Sequence, residues 1–305
     1  MASIVGRRYS TPIWRGVWPR QATWRRLLVP LALAGAFVCA GQVIYWSLLG
    51  AWPFHDTVDG WLAGYRLREG LPVYRVSSDA FLLFLQAPPW AVIWAGLSFF
   101  PLNVVGIGLL FGQVLALRYL AGSWIVAGLL CWWPMIPREL VTGNVDLLMA
   151  AAILAGARGV GWPVALFAAA KLSPGLVLVG ATRRQWREAL AVGCLLLLIT
   201  LPWPTLWLDW IASLRGAPAD GWSWWPMLPI RLPLALVLLA LRRPWAFAAA
   251  AALATPAFHE HSLVLLLPAA RLAVDELGSS STGDFDSPDL GKDGEAADFS
   301  AVASS

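Results

Sequence analysis

Charge is scarce in this sequence. Asp, Glu, Lys and Arg together make up 13% of 305 residues, where a soluble domain carries roughly a quarter. That leaves too little polar surface to cover a water-facing globule. The shortage is uneven. Apart from Cys39 and Tyr45, nothing ionisable lies between Arg26 and His55, and Ala87–Leu117, Tyr119–Pro137 and Ala189–Leu208 carry no charge. Cysteine is scarce too. Cys39, Cys131 and Cys194 each sit alone in an apolar run, which excludes a disulfide framework or metal-ligand spacing and predicts small buried hydrophobes. Neither a nucleotide-binding nor a metal-binding motif occurs.

Apolar residues are abundant, at 59%, and the mean hydropathy is +0.65. About 20 apolar residues cross a bilayer as a helix, so the uncharged stretches predict a polytopic membrane protein. The net charge of +4 does not indicate nucleic acid. Arg7, Arg8, Arg15, Arg20, Arg25 and Arg26 precede the first apolar run, and Arg183, Arg184, Arg187, Arg242 and Arg243 fall in later turns. This is the distribution of cytoplasmic anchors. The run Leu27–Trp52 is too long for a signal-peptide core and reads as an uncleaved span. Most of the 20 tryptophans read as an interfacial belt, with one or two available to stack on a sugar.

Charge breaks and Pro/Gly punctuation predict an all-α bundle of about ten spans (about 8–12). They lie near 27–50, 87–101, 103–119, 122–137, 143–157, 160–180, 188–204, 228–241, 244–258 and 261–274. Residues 1–26 form a basic cytoplasmic N-terminus, 27–274 the membrane domain and 275–305 a disordered polar tail. Both termini are then cytoplasmic. Residues 51–86 become an external loop holding an amphipathic helix, Asp56–Glu69, that ends at Gly70-Leu71-Pro72. A second short helix is expected over Ser78–Gln86. On this count Arg66, Arg68 and Arg75 fall outside and Arg118 and Arg158 near external turns, against the charge rule.

Ionisable residues in a membrane body are expensive and are functional candidates. Four places qualify. At His55-Asp56, with Asp59 one turn on, a carboxylate leaves the first span as a general base or as a helix N-cap. Arg138-Glu139 precedes Gly143-Asn144-Val145-Asp146, where Asn144 and Asp146 either cap a helix or hold hydroxyls; the count puts this element across the membrane from Asp56. Lys171, deep in 160–180, either snorkels part of the way to an interface or takes a buried role such as pairing with a phosphate. His259-Glu260-His261 lacks the four-residue spacing of a zinc helix and falls on the same side as Asp56.

The order of these places resembles glycosyltransferase family 87, the polyprenol-phosphate-mannose-dependent mannosyltransferases of GT-C architecture. The matching residues are Asp56 through Gly70-Leu71-Pro72-Val73-Tyr74, then Phe81, Phe84 and Pro88-Pro89. Gly143-Asn144-Val145-Asp146 stands for the family's Gly-Gln-x-Asn. Lys171-Leu172-Ser173-Pro174 stands for its Lys-x-x-Pro, and Thr255-Pro256-Ala257-Phe258-His259-Glu260-His261 for its late His-bearing stretch. The resemblance covers roughly residues 50 to 270. It implies transfer of a sugar, mannose by analogy, from a polyprenyl-phosphate donor to a glycan or glycolipid acceptor at the external face of the plasma membrane, with inversion and no further cofactor. Asp56 would be the base. Lys171, His259 and Arg138 would hold the donor phosphate, and His55, Asp59, Asn144, Asp146 and His261 would contact substrate. Two other classes stay open: a transporter or flippase of lipid-linked glycans, and a non-catalytic relative.

Overall fold

The computed structural model describes residues 22–48, 54–74, 84–216, 227–255 and 259–280. The basic N-terminus before residue 22, the expected helix over Ser78–Gln86 as far as residue 83, and the tail beyond residue 280 lie outside them. Every regular element among the described residues is helical. In chain order these are α1 (Ala22–Leu48), α2 (His55–Arg68), α3 (Pro88–Leu97), α4 (Leu102–Ala121), α5 (Trp124–Leu130), α6 (Met135–Thr142), α7 (Asp146–Ala157) and α8 (Trp162–Ala168). A 3₁₀ segment, Ser173–Gly180, follows. Then come α9 (Arg183–Leu198), α10 (Thr205–Gly216), α11 (Leu228–Ala240), α12 (Pro244–Leu253), a second 3₁₀ segment (His261–Leu266) and α13 (Leu267–Ser280).

Short α7 is the hub. Leu147, Met149, Ile153 and Leu154 on it have no exposed surface, and α4, α8, α12, α13 and both 3₁₀ segments pack around it. Its small residues, Ala150, Ala152 and Gly156, let neighbours come close. A Cβ on Gly156 would stand 2.3 Å from a Val164 methyl.

Among the described residues, only α1 and α4 are long and apolar enough to cross a bilayer alone. The pair α6–α7, bent by 110° at its break, makes a third if counted as one broken span. The expected ten spans therefore do not appear as ten full helices. The apolar runs are there, but most are divided into helices of 7–16 residues, which reach about 10–24 Å at 1.5 Å per residue. Interrupted backbone is tolerated at membrane depth where protein covers its polar groups. Two interruptions show how. Gln113, buried on α4, donates from Nε2 to the carbonyls of Glu139 (3.3 Å) and Asn144 at the α6–α7 break. Arg231, buried on α11, donates from Nη1 to Leu253 O (3.0 Å) and Thr255 O (2.9 Å) where α12 ends.

The helix expected over Asp56–Glu69 is α2, and it ends as expected. Leu71 N–H bonds Arg66 O at 2.8 Å, and Gly70 takes a φ of 68°, which costs a glycine little. Its buried face differs from the expected stripe of Val58, Trp61, Leu62, Tyr65 and Leu67. Of that stripe only Leu67 is buried; Thr57, Gly60, Ala63 and Gly64 are buried with it, because α3 lies against them: a Cβ on Gly64 would meet the Trp94 backbone at 2.2 Å. Phe54 is the N-cap residue, so Asp56 is not the cap. Pro88-Pro89 opens α3 as expected.

Arg118, Arg158 and the C-terminal acids also depart from expectation. The helix α13 continues through residues 275–280, assigned above to a disordered tail. Asp275 accepts from Arg158 (2.9 Å) and Arg271 (3.1 Å), and Glu276 from Arg243 (2.8 Å). Composition alone made these acids look like a solvated tail, whereas they are counter-ions. Arg158 lies over the Tyr119 ring at 5.6 Å, and Gln185 donates to Gly156 O at 2.6 Å. Arg118, Arg158, the Arg183-Arg184 turn, Arg243 and Arg271 thus gather at one end of α7. Among the cysteines, Cys39 and Cys131 are buried as expected, but Cys194 is exposed.

Candidate functional site

The other end of α7 collects the candidate residues. The α6 helix stops at Gly143, which adopts a φ of 66° and caps Glu139 O at 3.1 Å. Glycine is required there twice over: the backbone is left-handed, and a Cβ would fall 2.2 Å from Thr57 Oγ1. That proximity docks the start of α2 onto the break. Phe54 N–H bonds Val141 O at 2.7 Å, and the buried Thr57 hydroxyl bonds Gly143 O at 3.1 Å. The segment expected across the membrane from Asp56 is therefore beside it. Residues expected as a loop between the spans 122–137 and 143–157 form instead the short helix α6, against whose end α2 docks.

Asp146, at the first position of α7, is fully buried and does not act as its cap, which is Val145. Its Oδ1 accepts from Lys171 Nζ at 2.6 Å and its Oδ2 from Ser262 Oγ at 2.8 Å. Lys171 is not within a continuous span; it lies at the break between α8 and the 3₁₀ segment that Pro174 opens. Its expected free charge is thus already met by a carboxylate, although 19% of its side chain stays exposed. Below it Ser173 and Thr255 share a 2.8 Å hydroxyl contact.

His261 Nε2 lies 3.0 Å from Asn144 Nδ2 and 3.9 Å from Glu139 Oε1. Its ring stacks on His259, with centroids 5.2 Å apart and planes 9° apart. At the mouth Arg138 donates to Glu260 at 2.8 Å, so Arg138 too has a carboxylate partner. On the α2 side His55 Nδ1 stands 3.3 Å from Asp56 Oδ1 and 3.9 Å from Asp59 Oδ2. Asp56 keeps 35% of its side chain exposed. Burial pushes the Asp59 carboxyl up to about 7, with the Asp56 charge adding to the rise and His55 and Arg66 opposing it.

All nine candidates from the sequence thus fall around the α6–α7 break: His55, Asp56 and Asp59 through α2; Arg138, Asn144 and Asp146 on its two arms; and Lys171, His259 and His261 from later breaks. Four residues of the same site were not singled out as ligands or contacts: Glu139, Gln113, Thr57 and Ser262. The signals existed. Glu139 is the sole acid between Glu69 and Asp146 apart from Asp79, and Gln113 is the one polar side chain in the middle of α4. The chain matches no protein-family model, no curated protein and no solved structure.

The arrangement offers a part-exposed carboxylate, Asp56, beside a pocket floor of fixed charge. Gln113 lies eight residues before the end of α4 and Asp146 eleven before the end of α7, so the floor lies about 12–17 Å from the basic end. That depth is about half a hydrocarbon core.

Proposed function

We propose that the protein is a membrane glycosyltransferase of GT-C type, moving a sugar from a polyprenyl-phosphate donor to a glycan or glycolipid hydroxyl. One observation carries this: a part-exposed carboxylate, Asp56, the cations Arg138 and Lys171, and His259, from four separated parts of the chain, meet at one place half-way into an apolar body. A lipid-linked phosphate is a good leaving group, so the chemistry needs a base for the acceptor and fixed positive charge for the phosphate. Asp56 takes the acceptor proton as the hydroxyl attacks the anomeric carbon, and the phosphate leaves from the opposite face, inverting the centre. Lys171 spends one of its three N–H donors on Asp146 and offers the others to a phosphate oxygen. Arg138 and His259 line the approach, and Asn144, His261, His55 and Asp59 contact hydroxyls. The lipid tail stays in the bilayer, which is why the site is sunk from one end only.

In this proposal the short helices join end to end as broken spans, giving about ten crossings. The protein sits in the plasma membrane with its basic end, and both termini, in the cytoplasm. The test is Asp56→Asn, assayed in membranes with polyprenyl-phosphate mannose and a panel of acceptors. Asp56 is neither cap nor buried, so melting stays at the wild-type value while transfer falls by about 10²–10⁴. Activity within a few-fold of wild type would remove Asp56 as the base. Labelled lipid crossing vesicles without transfer would replace the enzyme by a flippase.

A further inference from the structure

We infer that Glu139, Asp146 and His261 form a divalent-cation site. Glu139 and Asp146 are carboxylates without exposed surface, and they are compensated unequally. Asp146 has Lys171 and Ser262. Neither oxygen of Glu139 has a hydrogen-bond partner, and both are buried. An uncompensated dry carboxylate costs several kcal/mol, so a folded protein must cancel its charge with a proton or a cation. The neighbours point to a cation. One ligand atom each from Glu139, Asp146 and His261 lie within 4.8 Å of one another. Ligands about 2.0–2.2 Å from a common metal stand about 3–4.4 Å apart, so small side-chain rotations close the set.

Two carboxylate oxygens and one imidazole suit Mn²⁺ or Zn²⁺ better than Ca²⁺, which prefers oxygen alone. The surroundings supply the outer layer such sites need: Lys171 and Ser262 fix the Asp146 carboxylate, and Gln113 fixes the Glu139 backbone carbonyl. His261 Nε2 now faces the Asn144 amide nitrogen at 3.0 Å. Binding through that atom displaces the amide, which then faces the metal with its oxygen or moves aside. The stacked His259 and the Arg138–Glu260 pair mark the way in. With both acids ionised and Lys171 protonated the group carries one net negative charge. A divalent ion turns that into one net positive charge beside Asp56, where an anionic ligand would be drawn. The cation site does not depend on the glycosyltransferase proposal, since binding is measured without substrate.

The experiment uses the full chain, purified in detergent and stripped with chelator. Added Mn²⁺ or Zn²⁺ is followed by melting temperature, and Mn²⁺ also by its electron paramagnetic resonance signal. Saturable binding at one ion per chain, with a rise in melting temperature, is expected for the wild type and for Asp56→Asn and Glu260→Gln. Glu139→Gln and, as a second variant, His261→Gln should each weaken binding by about 10–100-fold or more. Absence of saturable binding to wild-type protein overturns the site, whatever the variants do. So does binding that survives in both Glu139→Gln and His261→Gln. A Glu139→Gln protein that melts above the wild type, with no metal effect in either, would show that a proton cancels the charge.

Discussion

Replacing Lys171 by Met should damage the fold before it damages any ligand contact. Asp146 has no exposed surface, and its two oxygens have one side-chain partner each, Lys171 at 2.6 Å and Ser262 at 2.8 Å. Met has nearly the length of Lys, so packing is conserved while the charge of Asp146 loses its counter-ion. Breaking a buried pair from one side costs about 3–5 kcal/mol. The reverse change is milder. In Asp146→Asn the ammonium remains, but 19% of the Lys171 side chain reaches solvent and can rehydrate, so the loss is about 1–3 kcal/mol. Removing both charges with Lys171→Met/Asp146→Asn should recover most of the stability, because no buried charge is then left without a counter-ion and Ser262 keeps a partner. The assay is reversible unfolding in mixed micelles for wild type, both single variants and the double, in chelator so that no bound metal substitutes for the lysine. A strong favourable coupling in this cycle is the expected result. A Lys171→Met protein as stable as wild type would refute the pair and return Lys171 to a free phosphate ligand.

Two further outcomes follow from other parts of the molecule. Asp59 has a folded-state pKa raised to about 7 by burial, so the folded chain holds a proton that the unfolded chain has already lost. Stability from this group is full below about pH 4 and is lost as pH rises through 7. Asp59→Asn should therefore gain most over wild type at pH 8 and little at pH 5; equal differences at both pH values would contradict it. The second outcome is sidedness. In a background lacking Cys39, Cys131 and Cys194, Glu260→Cys (53% exposed) should label with an impermeant thiol reagent from outside, and Arg184→Cys (85% exposed) only after the membrane is opened. Labelling of both from one side would sink the topology.

Local signals in the sequence were the most readable ones. Gly70 ended α2, Pro88-Pro89 started α3, and Gly143 marked a turn, because each is a backbone constraint carried by one or two residues. The candidate site was legible as well: scarce charges in an apolar chain must converge on something. What could not be read was who partners whom. Lys171 and Asp146 are 25 residues apart, and nothing in either neighbourhood specifies the other. The lengths of the helices could not be read for a related reason. The run 160–180 is apolar apart from Lys171 and Ser173, yet its α-helix ends at Ala168, and in the interruption that follows Lys171 meets Asp146 from a distant part of the chain. Asp275 and Glu276 were misassigned to a tail because their partners, Arg158, Arg271 and Arg243, also come from elsewhere.

Gln113 has a consequence for how the surrounding lipid acts on the protein. It belongs to α4, one of the two helices long enough to span the bilayer, whose Val104, Ile107, Phe111 and Leu115 face outward. From the same helix its amide clasps the carbonyls of Glu139 and Asn144 at the α6–α7 break. A thinner or thicker bilayer changes the tilt of a spanning helix, and a tilt of α4 drags that amide across the break. Gln113 is therefore the contact through which a change in the tilt of α4 would reach the carbonyls of Glu139 and Asn144.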